Sequence, residues 1–458
     1  MKRRIVKKVL STALVGTMAL SLMAGCSTKK ESTKMVEKEN EGESSEGYSG
    51  NVVIYPLGAG HNEALYDAIE VLKGMEKYKD VTFDVKFDND ESTKDKIPTY
   101  IAGGEQVDIV YNGSPIYQQN YVDGGVIVPI TEYVEKYGID MEEQYGEYAK
   151  FAYNAGEVYG IPGGATVWGL WYNKKIFDDA GIEYPDPEVP MTWEEYSELA
   201  KQLTKGSGSE KTYGALHLTW PMYWYGEAIM ALGGGEQFYT EDGLSNIKDP
   251  AFGKAMERTW NMMNTDKSIR TNADIETAGI TGQAFLDGHY GMMPSGSWVL
   301  NWLLDKETYP RDFEVGLAPM PVDSGTTPKN WGICGTFSLT PTTADPDLSF
   351  NVCVDLVRET TKLTSSEIYA DQTVPQDNIF TDIVNQISEY DKSITVDLVH
   401  GIFLNPEMQF VTEKISGPNA ADYEKIVVEE TTLYFGQEQD LNTTLDNIEQ
   451  RVNEILEK

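Results

Sequence analysis

Seven of the nine tryptophans, Trp168, Trp171, Trp220, Trp224, Trp298, Trp302 and Trp331, fall in segments that read as strand or loop rather than mid-helix. An indole offers a flat apolar face and one N–H donor, which suits one face of a sugar ring. Core packing is the commoner fate of any single tryptophan, and Trp193 and Trp260 read that way. Catalytic chemistry has far less to work with. The chain has no H-E-x-x-H, Walker A, G-x-S-x-G or C-x-x-C pattern, and only four histidines. Gly58-Ala-Gly60 follows a strand and opens a helix, but Glu63 occupies the third glycine position of a dinucleotide loop. Cys334 and Cys353 lie nineteen residues apart on a strand and the next helix, where two buried free thiols are favoured over a pair. No metal or cofactor is expected.

Charge narrows the partners. The 458 residues carry 37 Lys+Arg against 73 Asp+Glu, a formal net charge of −36. Nucleic-acid binding needs a basic face and is excluded as the main role. An anionic membrane surface is disfavoured on the same ground.

Positioning elements follow from pattern. Asn51-Val-Val-Ile-Tyr55 reads as a buried strand, and Leu65, Ala68, Ile69, Leu72 and Met75 lie at helical spacing. Val81, Phe83, Val85 and Phe87 alternate as in a half-buried strand, and Val107-Asp-Ile-Val-Tyr111 is another buried strand. That order predicts an α/β domain with a mainly parallel sheet. A second series has strands over 166–172, 213–218, 289–293 and 313–319, a helix ending at Leu286-Asp-Gly288, and a helix running toward Gly233. Thr192-Trp-Glu-Glu195 is a capping box opening another helix. The last forty residues are helical, with Leu441, Leu445, Ile448, Val452 and Ile455 on one face. Two α/β lobes are expected, with ligand at the carboxyl ends of strands.

The first residues read as an address. Met1-Lys-Arg-Arg-Ile-Val-Lys-Lys8 is basic, an apolar stretch runs from Val9 to Met23, and Ala24-Gly25 precedes Cys26. Leu22-Met-Ala-Gly25 before Cys26 resembles a bacterial lipoprotein signal, which implies removal of residues 1–25 and a lipid on Cys26. Cleavage there carries the net charge from −36 to −41. Residues 26–50 are Lys, Glu, Ser, Thr and Gly with few apolar positions, a flexible tether.

Further on, the chain resembles the family 1 extracellular solute-binding proteins, the sugar-binding components of ABC importers. The resemblance covers residues 51–458. Its most specific stretch is Val158-Tyr-Gly-Ile-Pro162, Gly169-Leu-Trp-Tyr-Asn-Lys174, Phe177, Ala180-Gly-Ile182 and Met191-Thr-Trp-Glu-Glu195. Ile101-Ala-Gly-Gly104 with Val107-Asp-Ile-Val110, Gly124-Gly-Val126, and Phe285-Leu-Asp-Gly288 with Gly296-Ser-Trp298 support it. Trp171 stands where a smaller aliphatic residue, Phe or Tyr is usual, and Thr166 stands near where the maltose binder has a carboxylate.

The resemblance implies a non-enzymatic clamp that closes on ligand like a hinge. The expected lobes are 51–165 with 320–374 and 166–319 with 375–458. The chain would cross near Thr166, Leu317–Met320 and Thr373–Pro375. Implied ligand contacts are Gly60, His61, Asn62, Tyr111 and Asn112 on one side. Trp168, Trp220, Tyr223, Trp224 and Trp298 are implied on the other, with Trp331 and Phe410 as further implied contacts. The implied protein is a monomer, lipid-anchored on the outer face of the cell membrane, handing a carbohydrate to permease subunits. A cationic solute such as a polyamine, or a secreted glycoside hydrolase, are the competing readings.

Overall fold

The computed structural model describes residues 47–56, 62–86, 93–325, 329–364, 366–376, 378–405 and 408–457. The signal segment, Cys26, the tether up to residue 46, Gly60, His61 and the Asn62 side chain lie outside the described residues.

Twelve strands occur among them: β1 (Ser49–Tyr55), β2 (Asp80–Val85), β3 (Ile109–Asn112), β4 (Tyr153–Asn154), β5 (Glu157–Val158), β6 (Ile161–Asn173), β7 (Tyr213–Ala215), β8 (Tyr290–Gly296), β9 (Val315–Ala318), β10 (Lys329–Leu339), β11 (Ile368–Tyr369) and β12 (Gln409–Thr412). The main sheet runs β2-β1-β3-β10-β6-β8-β7, with β11 and β9 also on β6 and β12 on β10. The sheet is mixed, which corrects the mainly parallel expectation. β1 pairs parallel with β2 and β3, and β7 with β8, but β10 is antiparallel to β3 and β6, and β6 to β8. Apolar runs predict strands buried on both faces; they do not encode strand direction.

β6 joins the two halves of the sheet. Its first part, Ile161–Val167, pairs with β10, and its second, Trp168–Tyr172, with β8. Thr166, placed at a crossover by the sequence reading, sits at this change of partner. Helices cover the sheet as their spacing predicts. In the helix Asn62–Lys73, Leu65, Ala68, Ile69 and Leu72 are buried. In the helix Trp193–Leu203 the capping box is complete: Thr192 Oγ1 accepts from the Glu195 amide at 3.1 Å, and the Glu195 carboxylate from the Thr192 amide at 2.7 Å. The terminal helix Leu441–Leu456 buries Ile448 and Val452.

Three local expectations change. The segment before Gly288 is a 3-10 turn, Gly282–Asp287. The strand expected over 213–218 ends at Ala215. Trp224 and Trp302 lie inside the helices Met222–Leu232 and Val299–Leu304, because short helices there interrupt what reads as loop. Cys334 and Cys353 are free and buried, and burial pushes both thiols up.

Candidate functional site

All seven residues of β8 are buried, and the strand ends at Gly296, two residues before Trp298. Its parallel neighbour β7 ends in the same direction and leads through Leu218 to Trp220 and the helix Met222–Leu232. Trp298 and Trp220 therefore emerge from the carboxyl ends of adjacent parallel strands, where open α/β sheets receive ligands. Trp220 is 44% exposed and Trp298 is half-buried. Their ring centroids are 6.4 Å apart, with an interplanar angle of 61°.

Behind them the aromatic cluster continues inward. Trp298 meets Trp168 edge-on at 5.5 Å, Trp168 meets Trp331 at 4.8 Å, and Tyr223 touches both Trp168 (5.6 Å) and Trp220 (6.1 Å). Trp168 and Trp331 are buried. Two glycines make this packing possible. A Cβ on Gly226 would stand 2.2 Å from the Trp331 ring, and one on Gly296 2.0 Å from the Trp298 ring. Only a missing side chain allows rings to approach the backbone so closely.

The cluster rests on a buried carboxylate. The Trp168 indole donates to Glu413 Oε2, and the Glu413 amide donates to the Gly332 carbonyl at 2.9 Å. Burial pushes the Glu413 carboxyl up to about 7, against the pull of Lys414 and the indole donor. His217 is also enclosed: its Nε2 lies 2.9 Å from the Tyr196 hydroxyl, and burial drives it down to about 3. Its Nδ1, the Tyr223 hydroxyl and the Trp224 and Trp331 indole nitrogens have no hydrogen-bond partner among the described residues.

Tyr111 and Asn112 end β3, which a buried aspartate holds in place. Asp108 Oδ2 accepts from the Val53 amide at 2.7 Å, and Oδ1 from the Ala344 amide and Thr343 hydroxyl, both at 2.8 Å. Asn112 is buried and donates to Ser338 Oγ at 2.6 Å. Half-buried Tyr111 packs on Phe337 at 5.0 Å, and its hydroxyl lies where a Cβ on Gly335 would be 2.1 Å away. Nearby, the Glu367 carboxylate occupies the space over Gly164, 1.9 Å from where a Cβ would stand.

Two implied contacts lie apart from this cluster. The register pairs Asn330 with Phe410 and Trp331 with Val411, so Phe410 sits on the opposite face of the sheet from Trp331. Phe410 packs instead on Tyr148 (5.2 Å) and lines a separate groove of about 380 Å³ with Glu147, Gln372 and Gln376. Trp224 is buried against Tyr225, 5.5 Å away. Glu413, His217 and Glu367 were not singled out from sequence, for three buried acids or histidines carry no mark in so acidic a chain.

Among the described residues one carboxylate group could suggest a metal: Glu194, Glu227 and Asp323. Lys254 already lies 3.3 Å from Glu194 and 3.4 Å from Glu227 and pairs with Asp323, while Arg258 holds Glu227 at 2.7 Å and Glu194 at 2.6 Å. Two cations fill the place an ion would take, so this is a salt-bridge lock between helices.

The bacterial extracellular solute-binding protein family matches residues 59–348, more than half of the chain, and the chain belongs to that family. It is a family of binding receptors, and this chain is not an enzyme. The lactose-binding protein of Rhizobium radiobacter is 24% identical over 282 residues, 55% of this chain and 61% of its own length. The arabinooligosaccharide-binding protein of Halalkalibacterium halodurans is 35% identical over 121 residues, 26% of this chain and 24% of its own. The chain thus spans less than two thirds of either relative. Among solved structures, an ABC substrate-binding protein from Listeria monocytogenes in complex with cycloalternan superposes with a TM-score of 0.72 at 17% identity, over 90% of this chain and 100% of that one. The sugar-binding protein MalE of Xanthomonas citri gives 0.65 at 18%, over 89% and 98%. The mixed α/β fold is that of the periplasmic sugar-binding proteins. No helix among the described residues is long and apolar enough to cross a membrane.

Proposed function

We propose that this protein is the substrate-binding component of an ABC importer and captures an oligosaccharide. The observation that carries the reading is the pair of partly exposed indoles, Trp220 and Trp298, at the carboxyl ends of β7 and β8. Relatives named for binding lactose and arabinooligosaccharides, and a neighbour holding cycloalternan, support a carbohydrate ligand. In this reading Trp220 and Trp298 contact the apolar faces of the sugar, and Trp168, Trp331 and Tyr223 back them. Tyr111 and Asn112 approach from the other lobe. The lobes, 51–165 with 320–374 and 166–319 with 375–458, swing closed because the ligand has higher affinity for the closed state. A lipid on Cys26 keeps the receptor beside the permease that takes the sugar.

Calorimetry of the mature protein against a panel of neutral oligosaccharides and polyamines tests the ligand class. Saturable binding of an oligosaccharide that survives excess spermidine is expected; binding of spermidine alone, with every glycan silent, overturns the proposal. Cys26→Ala should move the protein out of the detergent-soluble membrane fraction, and unchanged fractionation would remove the anchor.

A further inference from the structure

The aromatic cluster ends inward on one ionisable group, and nothing in ligand stacking requires a carboxylate there. Glu413 is buried, directly follows β12, and meets the only polar atom of the Trp168 side chain. Val411 and Glu413 alternate with Phe410 and Thr412, so Glu413 shares the sheet face of Val411 and its neighbour Trp331. Its carboxylate thus reaches the cluster from below, while Trp298 caps Trp168 from the solvent side.

We propose that Glu413 is a positioning residue whose ionised carboxylate locks Trp168, and through it Trp298, and that its protonation loosens the platform and weakens ligand capture in mild acid. This rests on the carbohydrate reading above for what is captured, but not for the switch itself.

The physical argument has two parts. An indole N–H donated to a carboxylate is a charge-assisted bond, roughly twice as strong as one to a neutral acceptor. Once the acid is protonated, Trp168 keeps at most a neutral hydrogen bond. Its ring also makes edge contacts with Trp298 and Tyr223 and a tilted contact with Trp331, so loss of orientation there spreads to the half-exposed ring. The surroundings set where the change falls. Burial disfavours the charge, and Glu424 on the helix Ala420–Phe435 adds repulsion. Lys414 opposes both, although its Nζ is shared with Glu424 at 3.8 Å. On the helix Met222–Leu232, burial holds the Tyr223 and Tyr225 hydroxyls protonated far above neutrality, both under the field of Glu413, and Tyr225 donates to Glu424 at 3.5 Å. Among the described residues Lys414 is the cation that opposes burial here, and burial outweighs it, so titration belongs near neutral pH rather than in the ordinary carboxylate range.

The test uses the mature chain with ¹⁵N-labelled tryptophan and no ligand. Indole N–H resonances are followed from pH 5 to 9, with Trp168→Phe and Trp298→Phe assigning the two peaks. Both peaks should move with one midpoint near pH 7, and neither should move over that midpoint in Glu413→Gln, whose side chain keeps size and acceptor. A static Trp168 peak, or one that titrates equally in Glu413→Gln, overturns the switch. A Trp298 peak that ignores the Trp168 titration overturns the positioning role. In a second arm, the affinity for lactose should fall several-fold from pH 8 to pH 5.5 in the wild type and stay flat in Glu413→Gln. A pH-independent wild-type affinity overturns the link to capture. If lactose fails to bind at either pH, the ligand assignment suffers, and the resonance titration decides the switch alone.

Discussion

Replacing Trp298 by alanine separates a ligand platform from a packed core residue. The ring is half-buried, and its aromatic contacts are with Trp168 at 5.5 Å and Trp220 at 6.4 Å. At roughly 0.5–1.5 kcal/mol for each aromatic pair, the two pairs contribute about 1–3 kcal/mol beyond the area the ring buries, and half-burial keeps the total cost of truncation below that of a fully buried tryptophan. Trp331 supplies the comparison. It is 1% exposed and wedged against Gly226, so Trp331→Ala should cost about 3–5 kcal/mol. For binding the order reverses. A central aromatic anchor is worth at least about 2 kcal/mol, so Trp298→Ala should weaken sugar affinity roughly thirtyfold or more. Urea unfolding without ligand and calorimetry with the best glycan of the panel give both numbers. If Trp298→Ala unfolds as readily as Trp331→Ala while its affinity stays within about twofold of wild type, the platform assignment is refuted and the ring is core.

Other expectations follow from the same geometry. Gly226→Ala should destabilise by about 1–3 kcal/mol in urea unfolding, since the new methyl would sit 2.2 Å from the Trp331 ring; a neutral effect would mean the ring can shift freely. Thr192→Ala removes the hydroxyl half of the capping box and should cost about 0.5–2 kcal/mol, with ligand affinity unchanged. His217, held down to about 3, binds its proton later in the folded chain than in the unfolded one. Its contribution is intact above about pH 6.5 and is lost as pH falls toward 3, by up to about 1.4 kcal/mol per unit. His217→Phe should flatten that acid limb even though it lowers overall stability through the orphaned Tyr196 hydroxyl. Glu413, held up to about 7, works in the opposite sense: its stabilisation is full below about 4.5 and fades as pH rises through 7. Glu413→Gln should therefore gain stability relative to wild type above pH 7, and a loss there would contradict the buried charge.

What could be read from the sequence was local. Thr192 and Glu195 are three residues apart, and their cap formed as their spacing predicts, because both partners lie within one helical turn. Leu65, Ala68, Ile69 and Leu72 likewise declare a buried helical stripe. Long-range pairing was not legible. Nothing in an apolar strand says whether its neighbour runs parallel, so the mixed sheet had to be seen. Phe410 failed to join the tryptophans for a related reason: with period-two alternation, one step of register decides between the face of Trp331 and the face of Tyr148. The strand-end placement of Trp220 and Trp298 was recoverable, because the strands before them read from local pattern. Glu413 was not, since 73 acids conceal the one that is buried under an indole.

The cluster also bears on how tightly such a site can hold a flexible ligand. Surface aromatic rings on loops lose rotamer freedom when a ligand orders them, and that loss subtracts from affinity. Here the ordering is already complete in the protein. Gly296 lets the Trp298 ring lie on its own strand, Trp168 blocks it from beneath, and Trp220 leans on its side at 61°. Trp220 and Trp298 are in contact, which leaves no slot between them for a sugar ring. In the proposed reading a sugar lies across their outer faces, meeting two planes set at an angle. A chain of sugar units, whose successive rings turn about each glycosidic bond, can follow such a corner, whereas a single ring can use only one of its faces. The same rigidity explains why the support beneath matters: a platform fixed by packing is only as well oriented as its innermost member, and Trp168 takes its orientation from one carboxylate.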